Sequence, residues 1–374
     1  MTDSNDIKTP AVASSPAARQ PKSTLKSKIT RVAEFIVPLA LSVSMVVWLL
    51  HKCNLSEIWH IITHGCDFFW IFMMMILTMM SQIIRGIRWG IQLRAAGVPR
   101  MPVAAESSSI FGAYALNLFV PYLGEGWRCV YVSKRENVKL STVVGTDLGD
   151  RGSDAVVVVM LLLLSLVLAH PVMLKFFSHY KIGTDIDNLV THRRLWIMLG
   201  AALAIISALL YIFRQSKIVK KIDGSVTRIW DGFKVIFHMK GRGLYVVLTF
   251  GIWICYYLET YSCFYAFDFT RELITQPGTA WGLIPGLVVF VFGSMSIAVP
   301  SNGGLGPWNL AVMFALSLYG IGHNQGMAYS MVAWSCQSIM QLCLGLFAAI
   351  YILRTDHKRK KLSTSASESA VSAE

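Results

Sequence analysis

The chain has 374 residues, 54% of them hydrophobic and 15% charged, with a mean hydropathy of +0.53. Soluble proteins carry about a quarter charged residues, so this balance excludes a soluble globular domain and points to a polytopic membrane protein. The formal charge of +13 does not indicate nucleic acid, because Lys and Arg concentrate in the tails and two loops, where the positive-inside rule places cytoplasmic segments.

Residues 1–31, rich in Ser, Pro, Ala and Lys, read as a disordered cytoplasmic tail. A polar stretch ahead of the first apolar run is the wrong order for a signal peptide. Lys22, Lys26, Lys28 and Arg31 abut a first crossing at 34–50, which puts the N-terminus inside. Residues 55–64 form a short amphipathic segment on the outer surface. The second crossing starts at 68, runs inward to about 93 and carries Arg85, Arg88 and Trp89 in its inner third.

The next apolar segment cannot continue as one helix. It reads NLFVPYLGEGWR from Asn117 to Arg128, with Pro121 breaking the backbone ladder and Gly124 and Gly126 loosening its far side. Glu125 and Arg128 add charge to it. A second break, AVPSNGGLGPWN, contains Pro300, Asn302, Gly303, Gly304, Gly306, Pro307, Trp308 and Asn309. It follows the first by nearly half the chain. Paired interruptions of this kind mark transport sites, because broken backbone in hydrocarbon needs protein or a water-filled cavity around it.

Charge decides the topology of the first break. If 103–120 crossed outward, the basic loop with Lys217, Lys220, Lys221, Lys234, Lys240 and Arg242 would lie outside. A segment that enters from the cytoplasm, breaks at 121–126 and returns makes both basic regions cytoplasmic. Residues 140–169 then go out and 195–213 come in. Residues 217–238 lie along the inner leaflet as an amphipathic helix. Residues 244–267 go out with Glu259. The second hairpin spans 280–319 from the outer face, and 326–353 exits inward.

The expected fold is therefore an all-α polytopic membrane protein with six crossings and two re-entrant broken-helix hairpins in an inverted repeat. The membrane domain spans 32–353, with half one at about 67–170 and half two at about 243–353. The cytoplasmic linker is 214–242, and 354–374 form a cytoplasmic tail. Trp48, Trp70, Trp89, Trp196 and Trp281 fall near expected membrane edges.

Within this frame, the returning half-helices open at Gly126–Trp127 and at Pro307. Both would aim unpaired N–H groups toward the midplane, a geometry suited to a phosphate. The alternative is a pair of kinks filled by protein. Asp147, Asp150, Arg151 and Asp154 share one helix face; Arg151 and Asp154 lie deeper, while Asp147 reads as solvated. Arg85 and Arg88 either snorkel to head groups or line the path. Glu259 is a neutral core carboxyl or a pathway group. Asn302, Asn309, Gln337 and Gln341 serve equally well as interhelical glue.

The seven scattered cysteines read as small hydrophobes. His60, His64 and Asp67 have metal-like spacing, but Gly65 interrupts their helix, and no metal is expected. There is no P-loop, dinucleotide fingerprint or GxSxG, so neither a cofactor nor a catalytic set is expected.

The combination Arg85–Arg88–Trp89, Asn117…Pro121…Gly124–Glu125…Arg128, Asp150–Arg151…Asp154 and Pro300…Gly303–Gly304–Leu305–Gly306…Trp308 resembles the lysylphosphatidylglycerol synthase transmembrane family. This is the flippase-like domain at the N-terminal end of multiple peptide resistance factors, also found as stand-alone bacterial and archaeal proteins. The resemblance covers roughly residues 36–353. It implies lipid translocation in an inner membrane, with Glu125, Arg128, Arg151 and Asp154 at its centre.

Three departures stand out. Tyr122 and Leu123 replace an arginine that the family often places before Gly-Glu, Asp150–Arg151 replaces a Glu-Arg pair, and Asn309 replaces an acidic residue. A short polar tail follows residue 353, so lysyl transfer is not expected. The leading expectation is a non-enzymatic flippase of an anionic phospholipid or lipid-linked precursor. A small-ion transporter, a membrane-embedded lipid-phosphate transferase and a partner subunit of a separate lipid synthase stay open, as does a homo-oligomer.

Overall fold

The computed structural model describes residues 54–169, 239–296 and 301–371, with single positions 172 and 299, and side chains as far as 355. The expected tail 1–31, first crossing 34–50, outer loop 170–194, crossing 195–213, most of the linker 214–242 and Pro300 lie outside them.

The described residues are all-helical. Helix α1 (Leu55–His64) is capped by Asn54, whose side chain accepts from the N–H groups of Ser56 and Glu57. Asp67 caps α2 (Phe68–Ala95) in the same way through Phe69. Then come α3 (Val103–Asn117), α4 (Leu123–Glu136) and α5 (Leu140–Leu168). The second stretch holds α6 (Arg242–Ala266), α7 (Asp268–Thr275), α8 (Leu283–Ser296), α9 (Pro307–Ser317) and α10 (His323–Val371).

Among the described residues, five stretches are long and apolar enough to cross a membrane: Phe68–Ala95, Leu140–Leu168, Arg242–Ala266, Pro277–Ser296 and His323–Thr355. Four of them are crossings expected from the sequence. The fifth is the descending limb of the second expected hairpin.

Helix α3 sits at the centre, against α2, α4 and α10. Its sequence, VAAESSSIFGAYALN, is mostly small side chains, and its neighbours meet it with glycine. A Cβ on Gly86 of α2 would come 2.8 Å from Ser107 Cα, and one on Gly345 of α10 would come 2.3 Å from the Ala115 Cβ. Gly124 of α4 is tighter still, at 1.9 Å from the Ala113 carbonyl oxygen. Apolar side chains gain little by leaving lipid for a protein interior, so close backbone approach is what holds such helices together.

Both breaks are helical hairpins, α3–α4 and α8–α9. The first turns at Leu118–Tyr122, where Tyr122 takes a left-handed φ of 61°. The second turns through Gly303, Gly304 and Gly306, all at positive φ, and Pro307 opens α9 at the position its ring favours. The two tips touch. Asn302 Nδ2 donates to the Phe119 carbonyl at 2.7 Å, and a Cβ on Gly303 would come 2.5 Å from Leu118 Cδ2. Trp334 Nε1 of α10 holds the second tip through the Gly303 carbonyl at 2.8 Å.

One expected boundary moves. The returning helix opens at Leu123, not at Gly126–Trp127, because Asn117 Oδ1 caps Gly124 N at 2.8 Å. Gly126 is therefore helical and is not part of the break. A Cβ there would meet nothing within 4 Å. Replacing Gly124 with Ala should destabilise the purified protein by about 1–3 kcal/mol through overpacking. Gly126→Ala should be neutral or stabilising by up to about 1 kcal/mol. Thermal unfolding in detergent checks both; equal losses would contradict the hairpin packing.

Candidate functional site

Where α2, α4 and α5 meet, four guanidiniums and four carboxylates interlock. Arg88 of α2 bridges two carboxylates of α5, with Nη2 2.7 Å from Asp150 and Nη1 2.8 Å from Asp154. Arg85, one turn earlier, reaches Asp154 at 2.6 Å and Asp150 at 3.6 Å. From α4, Arg128 pairs with Asp147 and stands 3.8 Å from Asp150. Arg151 of α5 pairs with Glu125 of α4. The formal charge sums to zero.

The local sequence explains the fit. Asp147, Asp150, Arg151 and Asp154 occupy one face of α5, and Arg85 and Arg88 one face of α2, so two helices present matched charge over two turns. Aromatic and hydroxyl groups fill the remaining positions. Arg128 lies 4.5 Å over the Trp89 ring and Arg88 lies 5.4 Å over Tyr245. Arg85 Nε donates to Tyr256 at 3.2 Å, and that phenol is 3.4 Å from the Tyr114 hydroxyl. Thr249 accepts from Arg88 at 3.3 Å.

Exposure divides the cluster. Arg85, Arg88, Arg128 and Asp150 are fully enclosed, and Asp147 and Asp154 nearly so. The Arg151 side chain keeps 38% of its surface and Glu125 19%. Asn117 ties this outer pair to the first hairpin tip. Its Nδ2 donates to Glu125 Oε1 at 3.1 Å while its Oδ1 caps Gly124. Arg151 is thus the cation of the cluster that an incoming ligand can reach.

Several expectations change. Asp147 is not solvated: a partner 19 residues away in α4 holds it buried. Trp89 is wholly enclosed beneath Arg128. Arg85 and Arg88 are buried and paired with Asp150 and Asp154, so they do not snorkel to head groups. The helix ends are also less free than expected. Gly124 N is capped by Asn117, and Gly306 N donates to Asn309 Oδ1 at 3.1 Å.

Glu259, Asn302, Trp308 and Asn309 do not join the cluster. Asn302 joins the hairpin tips, Asn309 caps α9, and Trp308 packs with its indole against Gly293. The His60 and His64 rings stack at 4.6 Å, and Asp67 is a helix cap. No metal-ligating trio of His, Cys, Asp or Glu occurs among the described residues. Tyr114, Tyr245, Thr249 and Tyr256 belong to the site without any signal in the amino-acid order, since their partners lie on other helices. Asp147 was within reach of the spacing rule, lying one turn before Asp150 on the same face.

Removing one member of a buried ion pair leaves an unmatched charge, at a cost of about 3–5 kcal/mol. Asp150→Asn should therefore destabilise strongly, because Asp150 lies within ion-pair distance of Arg85, Arg88 and Arg128. Glu125→Gln, at the accessible rim, should cost about 1 kcal/mol or less. Denaturant unfolding in detergent separates the two; similar losses would mean that the rim pair is as enclosed as the core.

A family model described as the lysylphosphatidylglycerol synthase TM region matches residues 35–345. Searches of curated proteins and of solved structures return no match. The matched region contains every residue of the charged cluster and both hairpins, and the chain belongs to the lysylphosphatidylglycerol synthase TM region family.

Proposed function

We propose that the chain moves an anionic phospholipid or lipid-linked precursor across an inner membrane, with the phosphate of the head group met by Arg151 at the rim of the charged cluster. The observation that carries this reading is the division of the cluster. Its core is enclosed and neutralised, while Arg151 and Glu125 stay partly open beside the touching hairpin tips. An unpaired charge at the bilayer centre costs about 3 kcal/mol or more. A phosphate that replaces Glu125 on Arg151 avoids that cost. The displaced carboxylate keeps the Asn117 amide as its donor.

The surface beyond the charges favours a lipid over a small ion. One turn past Asp154 the same face of α5 turns apolar, through Val157, Leu161 and Leu164. With Trp253, Tyr257 and Phe290 these line a groove of about 550 Å³ between α5, α6 and α8. That volume is in the usual range for ligand pockets, and its lining suits an acyl chain. Head group and chain then lie along one helix face. The movement requires no bond to be made or broken, so the chain is read as a transporter and not an enzyme.

The same reading gives six crossings, with α3–α4 and α8–α9 as re-entrant hairpins of an inverted repeat and both termini cytoplasmic. The halves are about 67–170 and 243–353, joined by the linker 214–242.

In proteoliposomes with a labelled anionic lipid, Arg151→Ala should slow movement at least tenfold while leaving thermal stability nearly unchanged. Lys134→Ala, an exposed cation outside the cluster, should have little effect. Lipid movement at the wild-type rate in Arg151→Ala, or ion flux without lipid movement, would overturn the proposal.

The topology has its own test. A single cysteine at 134 should resist an impermeant external thiol reagent, and one at 275 should react; both positions are exposed on the protein surface. External labelling at 134 removes the inverted repeat.

A further inference from the structure

Away from the charged cluster, α2, α6 and α10 enclose the carboxyl of Glu259, which is almost wholly buried. No salt bridge reaches it among the described residues. The groups around it are neutral. Its own helix brings Cys255, Tyr256 and Cys263, with Cys336 and Tyr329 of α10 beyond. Helix α2 presents Thr78 and Ser81, and α10 presents Gln337.

Counting hydrogens favours a protonated carboxyl. Ser81 Oγ lies 2.8 Å from the Thr78 carbonyl oxygen and 3.1 Å from Glu259 Oε1, yet a hydroxyl has one hydrogen. If that hydrogen went to Glu259, two oxygens 2.8 Å apart would face each other with none between them. Thr78 Oγ1 is committed in the same way, donating to the Met74 carbonyl at 3.1 Å. Both Ser81 contacts are satisfied at once when Glu259 itself carries a hydrogen. Oε1–H then donates to Ser81 Oγ, Ser81 donates to Thr78 O, and Oε2 accepts from Gln337 Nε2 at 3.5 Å.

The site is one turn from the charged cluster. Tyr256 precedes Glu259 by three residues on α6 and accepts from Arg85, and Arg85 follows Ser81 by one turn on α2. The Arg85–Tyr256 and Ser81–Glu259 contacts thus join the same two helices, α2 and α6, one turn apart.

We propose that Glu259 is a proton-binding site, occupied in this conformation, through which a transmembrane proton gradient acts on the charged cluster. This rests on the lipid-transport reading for its second half only. A carboxyl in apolar surroundings without a cation keeps its proton. It releases the proton when helix movement opens it to water. The proton is taken up from one face and released to the other, and no other chemical change occurs.

Two measurements test the halves separately. Infrared spectroscopy of the purified protein at neutral pH should show a protonated-carboxyl carbonyl band that is absent in Glu259→Gln. In Ser81→Ala, which removes the partner of the acid hydrogen, the band should persist at higher frequency. If wild type and Glu259→Gln have identical spectra, the proton site is wrong; Ser81→Ala provides the same test should the glutamine variant fail to fold.

In proteoliposomes, an imposed pH gradient should change the rate of labelled-lipid movement at least threefold in wild type, and that ratio should fall to one in Glu259→Gln. A ratio of one in wild type, or the full response in Glu259→Gln, overturns the coupling. No lipid movement by wild type would overturn the transport reading and the coupling together, while the infrared band would still decide the proton.

Discussion

Three arginines enclosed among membrane helices set the terms for the rest of this structure. A guanidinium stays charged at any ordinary pH, so Arg85, Arg88 and Arg128 cannot relieve burial by losing a proton. Each must be met by carboxylate in fixed geometry. That requirement brings three aspartates onto one face of α5, docks that face against α2, and draws α4 in through Arg128 and Asp147. Low local dielectric makes the pairing strong once formed and the loss of any member costly.

The pairing requires close helices, and glycine makes them close. Gly86, Gly124 and Gly345 let α2, α4 and α10 approach α3 nearly backbone to backbone. Two broken hairpins can then meet tip to tip, with Asn302 on one bonding the backbone of the other. A chain of contacts runs from that junction through Asn117 to Glu125 and Arg151. The hairpin tips and the partly open Arg151 are thus only a few side chains apart.

Polarity along α5 and α6 is graded rather than mixed. Charges occupy one turn after another up to Asp154, and an apolar groove comes directly after them. Glu259 lies outside both zones, among hydroxyls, thiols and an amide. Its partners are neutral, whereas Asp154 is met by Arg85 and Arg88. Two kinds of acidic site, one locked by arginine and one free of it, can respond to different ligands.

Much of this was legible in the amino-acid order because it depends on local rules. Apolar run length located four of the five long apolar helices among the described residues, Pro and Gly located the two breaks, and the i, i+3, i+4, i+7 spacing put the acidic face on α5. Tertiary structure decided what spacing along one chain cannot express. Asp147 reads as solvated until α4 brings Arg128 to it, and nothing in the chain order places Trp89 beneath Arg128. The start of α4 depends on a cap supplied by Asn117 across the turn. The identity of the accessible arginine depends on which side chains the packed helices leave uncovered. Each of these is a contact between residues from different helices, and a buried charge takes its meaning from the partner that packing brings to it.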